Sequence, residues 1–237
     1  MAKRGKLDRR QTKEEDVRPF RPRRYDKFIL IVCEDQNTEP YYFKKIRETF
    51  PKETIYQIEI GTGLKPLGIV KKAVEERNNL AKKIKKEVDE VWVVFDKDDE
   101  GNNDTTLKSF NDAWGLANKE KICIAFSNEV FEIWLLLHLI EISYETALPR
   151  AEVYRLLEHH IQKSKKYASF EYKHGDSSVV DVVMEIGNED DAIARATKLK
   201  EDHRTKKPIE ANPSTSVHEL VRHLRELIEW YSYGLKN

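Results

Sequence analysis

Cysteine is scarce in this sequence, with two residues in 237. Cys33 and Cys123 cannot supply a disulfide framework or a cysteine-built zinc site. Each lies inside an apolar run, so both are expected as buried thiols in a reducing compartment. No run of about eighteen apolar residues occurs, which excludes a transmembrane helix. The N-terminus is polar and basic and lacks the apolar segment of a secretory signal, so no export is expected. Net charge is lacking too: 42 Lys and Arg balance 42 Asp and Glu. No global field therefore draws the protein to nucleic acid or to a membrane, and any such attraction must be local. No internal repeat is present. These absences together point to a cytoplasmic protein without a membrane partner.

What is present is enough for a core. Hydrophobic residues make up 39% and charged residues 35%, which implies a heavily solvated, helix-rich surface. The length allows one sizeable domain with an extension, or two small domains. Residues 1–27 form a separate zone with eleven Lys or Arg against five Asp or Glu, about +6, and almost no apolar residues. That composition predicts a disordered basic arm, either a solubilising tail or a phosphate-contacting segment.

From residue 28 apolar strands alternate with amphipathic helices. The run FILIVCE (28–34) reads as a strand buried on both faces. NTEPYYFKKIRETF (37–50) follows as a helix that Asn37 or Thr38 can cap, with Glu39 at its positive end and Pro40 in its first turn. A strand over 55–63, a helix over 66–89, a strand over 90–95, a helix over 105–120 and a strand over 122–127 come next. EVFEIWLLLHLI (129–140) is a strongly apolar helix in which Glu129 suits the N-terminus. The connections are too long for hairpins, so the pattern predicts a parallel sheet flanked by helices. After about residue 145 only helices are expected, over 150–162, 177–203 and 215–231, the last capped by Ser214 or Thr215. The predicted organisation is an arm (1–27), an α/β domain (28–145) and a helical extension (146–237).

Two strand ends are acidic. The first runs into Glu34 and Asp35, the third into Asp96, Lys97, Asp98 and Asp99. Ligands of open α/β sheets bind beyond the carboxyl ends of the strands. Asp96 and Asp98 are two apart and can face the same way. If the strands are neighbours, Glu34, Asp96 and Asp98 converge, and a set of oxygen ligands favours Mg²⁺ or Mn²⁺. The competing reading makes these acids turn residues, since DEGNND is good turn chemistry. An EF-hand is excluded because Leu107 stands where the bidentate Glu belongs. A phospho-acceptor receiver would use Glu34, Asp35, Asp96 and Ser127, but it needs a further strand ending in Lys.

The segments ILIVCEDQNTEPYYF, VVFDKDD and FSNEVFEIWLLLH, followed in order by YKHGD, DAIARATKL and NPSTSVHEL, resemble the RloB-like proteins, whose core is similar to the Toprim domain. The likeness spans most of the chain from about residue 28. Two departures stand out. Asp35 occupies the place of a Gly after the first-strand Glu, and Glu129 and Val130 replace a Pro-Cys pair. The resemblance implies a Toprim-like α/β fold and metal-dependent phosphodiester chemistry on DNA or RNA, tRNA included. Glu34, Asp96 and Asp98 would hold one or two Mg²⁺ ions that activate water and stabilise the leaving oxygen. It further implies an effector role in bacterial anti-phage defence by abortive infection, with an AAA-type or ABC-type ATPase as partner; self-association is compatible with this. Glu132 could add a ligand, Lys173 could reach the scissile phosphate, and His138 or His174 could shuttle protons. The alternative is a catalytically silent module of the same fold that docks on the ATPase or on nucleic acid.

Overall fold

The computed structural model describes residues 26–97 and 104–233. Nearly all of the basic arm, and Asp98 with its neighbours, lie outside the described residues. Four strands, β1 (Lys27–Cys33), β2 (Ile55–Gly61), β3 (Glu90–Lys97) and β4 (Cys123–Asn128), form one parallel sheet in the order β2-β1-β3-β4. Helices α1 (Thr38–Arg47), α2 (Pro66–Ile84) and α3 (Asp104–Glu120) connect them. The helices α4 (Glu132–Leu137), α5 (Arg150–Gln162), α6 (Ser178–Ile186), α7 (Glu189–Asp202) and α8 (Val217–Tyr233) follow. This is the Toprim-like α/β arrangement that the sequence predicts.

The continuous apolar run of β1 follows from its central place. Ile29, Ile31 and Cys33 enter a core layer with α1 and the helices after β4, whereas Leu30 and Val32 enter the opposite layer with α2 and α3. A strand covered on both faces cannot afford a polar face. The helices after residue 145 share the first of these layers. The α8 stripe of Val217, Leu220, Val221 and Leu224 is fully buried there, at about 1.5–3 kcal/mol of transfer free energy per large side chain. His223 on α8 also reaches the β3 carboxylate of Glu90 at 2.7 Å. No helix among the described residues is long and apolar enough to cross a membrane.

The structure corrects several local expectations. The helix expected over 129–140 is the six-residue α4. Glu129 has φ 81°, a left-handed conformation that no helix start accepts, so the chain first makes a tight turn. The helix expected over 177–203 is broken into α6 and α7 at Gly187 and Asn188. A Cβ on Gly187 would lie 2.7 Å from the Cβ of His138, so the backbone must pass there without a side chain. Asn188 then caps α7 by accepting the Asp191 N–H at 3.0 Å. Neither Asn37 nor Thr38 caps α1 through its side chain; Asp35 accepts the Thr38 N–H instead. Of the two candidates for α8, Thr215 accepts the Val217 N–H at 3.1 Å. Cys33 is buried, but Cys123, first residue of an edge strand, is exposed.

Candidate functional site

β1 and β3 are neighbours in register, with Cys33 opposite Val94. β1 ends at Cys33 whereas β3 runs on to Lys97, so Glu34 leaves β1 beside the last residues of β3 and meets Asp96. The Glu34 N–H donates to the Val94 carbonyl at 2.9 Å, and the Asp96 N–H donates to Glu34 Oε2 at 3.0 Å. Asp96 Oδ2 in turn accepts the Phe131 N–H at 2.8 Å, just before α4. The two carboxylates are thus fixed by backbone donors at the carboxyl edge of the sheet, where ligands of such folds bind.

A third acid joins them that sequence reasoning assigned to the helix dipole. Glu39, in the first turn of α1, is 1% exposed. Its Oε2 accepts the Asp35 N–H at 3.1 Å, while its Oε1 is buried without a hydrogen-bond partner. Burial, and then the negative charges of Asp96, Glu34 and Asp35, push its pKa well above the usual carboxylate range. The missed signal was the spacing: five residues after Glu34, with a tight turn between, return Glu39 to the same strand end.

These acids line a cavity of about 200 Å³ with Glu132, with Arg150 and Tyr154 of α5, and with His174 from the turn before α6. Glu132 is buried and accepts the Tyr172 hydroxyl at 2.5 Å. Burial raises its pKa and the Tyr172 bond opposes the rise. Tyr172 stacks on Tyr154 at 4.7 Å between ring centroids, and the Tyr154 hydroxyl lies 3.2 Å from His174 Nδ1. Burial and the Glu132 charge raise the pKa of both phenols. Five carboxylates therefore face Arg150 and His174 among the described lining residues.

Lys173 is exposed and does not line the cavity; its neighbour His174 does. His138 is a core residue, with Nδ1 at 2.9 Å from the Trp134 carbonyl and Nε2 at 3.5 Å from the Tyr42 hydroxyl. Glu129 turns away from the acids and accepts Asn212 Nδ2 at 2.9 Å. Ser127, required by a receiver, is buried against the Thr215 hydroxyl at 3.1 Å, and the described sheet has no fifth strand. Asp98 lies outside the described residues.

The sequence profile of the RloB-like proteins matches residues 29–224. The chain belongs to the RloB-like family. No curated protein and no solved structure matches it. The match starts in β1 and ends within α8, so the family unit includes both the sheet and the later segments, α5 and the turn before α6, that supply Arg150, Tyr154 and His174.

The donor set suits a hard cation. Every acidic donor is a carboxylate oxygen, Glu39 has an orphaned buried oxygen, and the acids outnumber the cations. Among the described residues no three Asp, Glu, His or Cys side chains form a ready-made metal group. Glu34 and Asp96 each spend one oxygen on a backbone N–H, so a full set needs a further donor, and Glu39 is the buried carboxylate beside them.

Proposed function

We propose that this RloB-like protein is a Mg²⁺- or Mn²⁺-dependent phosphodiester hydrolase acting on DNA or RNA. The observation that carries this reading is the meeting of Glu34, Asp96 and the buried Glu39 at two adjacent parallel strand ends. Like charges at such distances raise one another's pKa unless a cation lies among them. Glu34 and Asp96, with Glu39 or Asp98, would hold the cation. When bound, a divalent cation there supplies activation of water and charge stabilisation at phosphate oxygens.

The chain's own residues divide the remaining work. Arg150 offers a guanidinium to the phosphodiester, a planar donor suited to phosphate. The Tyr154–His174 pair stands at the rim as a proton donor for the leaving oxygen. Glu132, held by Tyr172, keeps the tyrosines in place and adds negative charge behind the acids. The defence role and an ATPase partner of AAA or ABC type follow from the resemblance and are part of the same proposal.

The test is incubation of the protein with end-labelled DNA and RNA, with and without Mg²⁺ or Mn²⁺, beside Asp96→Ala. Cation-dependent cleavage that the variant loses supports the reading. Nucleic-acid binding without cleavage, unchanged in the variant, would instead favour the silent binding module.

A further inference from the structure

A second cavity lies beside the edge strand β4 and shares no residue with the acidic one. Its origin is the edge position of β4. Ile124 and Phe126 point to the α2–α3 layer; Phe126 is buried there, but Ile124 is covered only in part. A space of about 610 Å³ remains, closed on its far side by the end of α7, the turn at Pro208–Glu210 and α8.

Its lining has three features. The floor is apolar and aromatic: Phe126 and the half-buried Trp114 meet edge to face with ring centroids 5.8 Å apart. His203, the residue that follows α7, is a second buried lining residue. It is 3% exposed, and neither ring nitrogen makes a hydrogen bond of good geometry, the backbone of Pro213 being the polar group beside it. A neutral imidazole carries one donor and one acceptor, and each left unsatisfied in a buried place is destabilising. The rim is cationic. Arg204, Lys206 and Arg222 are exposed and make no ion pair, whereas Lys200 is engaged by Glu219. Glu201 is the one unpaired acid among the lining residues, so the mouth holds an excess of two positive charges.

We propose that this cavity binds a nucleoside phosphate, either a free nucleotide or an unpaired nucleotide of a strand. The flat base would lie against Trp114 and Phe126. Its hydrogen-bonding edge would meet the donor and acceptor of His203. Its phosphate would sit among Arg204, Lys206 and Arg222. The volume falls within the range of small-molecule sites, about 300–1,000 Å³. A bare anion would use only the rim, and an apolar ligand only the floor.

The experiment is a titration of the full chain with AMP, ATP, adenosine, inorganic phosphate and a ten-residue oligouridylate, read by tryptophan fluorescence and calorimetry. The proteins are wild type, Trp114→Phe, Arg204→Ala/Lys206→Ala and Asp96→Asn. The double variant changes only exposed side chains and should fold normally. We expect AMP or ATP to quench an emission component that Trp114→Phe lacks. The double variant should weaken binding about tenfold or more, roughly 1.4 kcal/mol, and Asp96→Asn should leave it unchanged. Binding of the oligouridylate alone, with the same dependence, would assign the site to a strand. Three results would overturn the proposal. They are no binding of any nucleotide or oligouridylate up to about 5 mM, equal affinity in the double variant, and full displacement of ATP by an equal concentration of inorganic phosphate.

Discussion

Glu39→Gln should make the protein more stable in the absence of metal. Glu39 is buried, its Oε1 lacks a partner, and Asp96, Glu34 and Asp35 surround it with negative charge. Gln keeps the oxygen that accepts the Asp35 N–H, removes the charge, and offers an NH₂ donor to the neighbouring carboxylates. One unsatisfied buried polar atom corresponds to about 1–3 kcal/mol. For a chain of this size each kcal/mol shifts the melting temperature by about 2–4 °C, so a gain on the order of 2–12 °C is expected at pH 7 in EDTA. The pH dependence has a definite sign. A carboxyl whose folded pKa is raised loses stability as pH climbs from its unfolded value, about 4.3, through its folded value. Wild type and variant should therefore melt together near pH 4 and diverge toward neutrality. Mg²⁺ should narrow the gap, because a ligand at about 100 times its Kd adds about 2.7 kcal/mol to the protein that binds it. Differential scanning fluorimetry from pH 4 to 8, with and without Mg²⁺, reads all of this. A variant less stable than wild type at every pH would refute the reasoning and make Glu39 a neutral structural partner of the Asp35 amide.

Asp96→Asn keeps an acceptor for the Phe131 N–H and should hold the fold while abolishing metal-dependent cleavage; Asp96→Ala should cost about 1 kcal/mol more in urea unfolding through loss of that acceptor. Tyr172→Phe leaves the buried Glu132 without its hydroxyl donor, so a loss of about 1.5–3 kcal/mol is expected at pH 7, shrinking as pH falls and Glu132 protonates. Gly61→Ala should cost about 1–3 kcal/mol by overpacking and weaken Mn²⁺ binding as well, because the new Cβ would lie 2.5 Å from Gln36 Cα and push the turn that follows Glu34; calorimetry with Mn²⁺ on the folded variant checks the second effect.

Much of this architecture was legible in the residues. The apolar runs ending at Cys33 and Phe95 revealed central strands, because only strands covered on both faces can be apolar throughout. Their acidic ends, Glu34 and Asp96, were legible for the same reason, since parallel neighbours end on the same edge. Glu39 was not, because a Glu in a first turn is ordinary helix chemistry, and only the fold shows it turned inward. Arg150 and Tyr154 were hidden by distance in sequence; nothing local marks a residue that a later helix, here α5, brings back to the sheet. The late start of α4 and the break at Gly187 were missed because one is set by left-handed backbone at Glu129 and the other by close backbone approach at Gly187, neither of which apolar periodicity encodes. Lys173 attracted attention as a charge, yet the residue that reaches the cavity is His174.

Direct Mn²⁺ binding tests the central claim without requiring a substrate. Electron paramagnetic resonance follows the loss of free-Mn²⁺ signal as wild type and Glu34→Gln/Asp96→Asn are titrated. The account predicts one or two saturable Mn²⁺ ions per wild-type chain, displaced by Mg²⁺, and none at the same concentrations in the variant. Equal binding by the two proteins, or none by either, would contradict it.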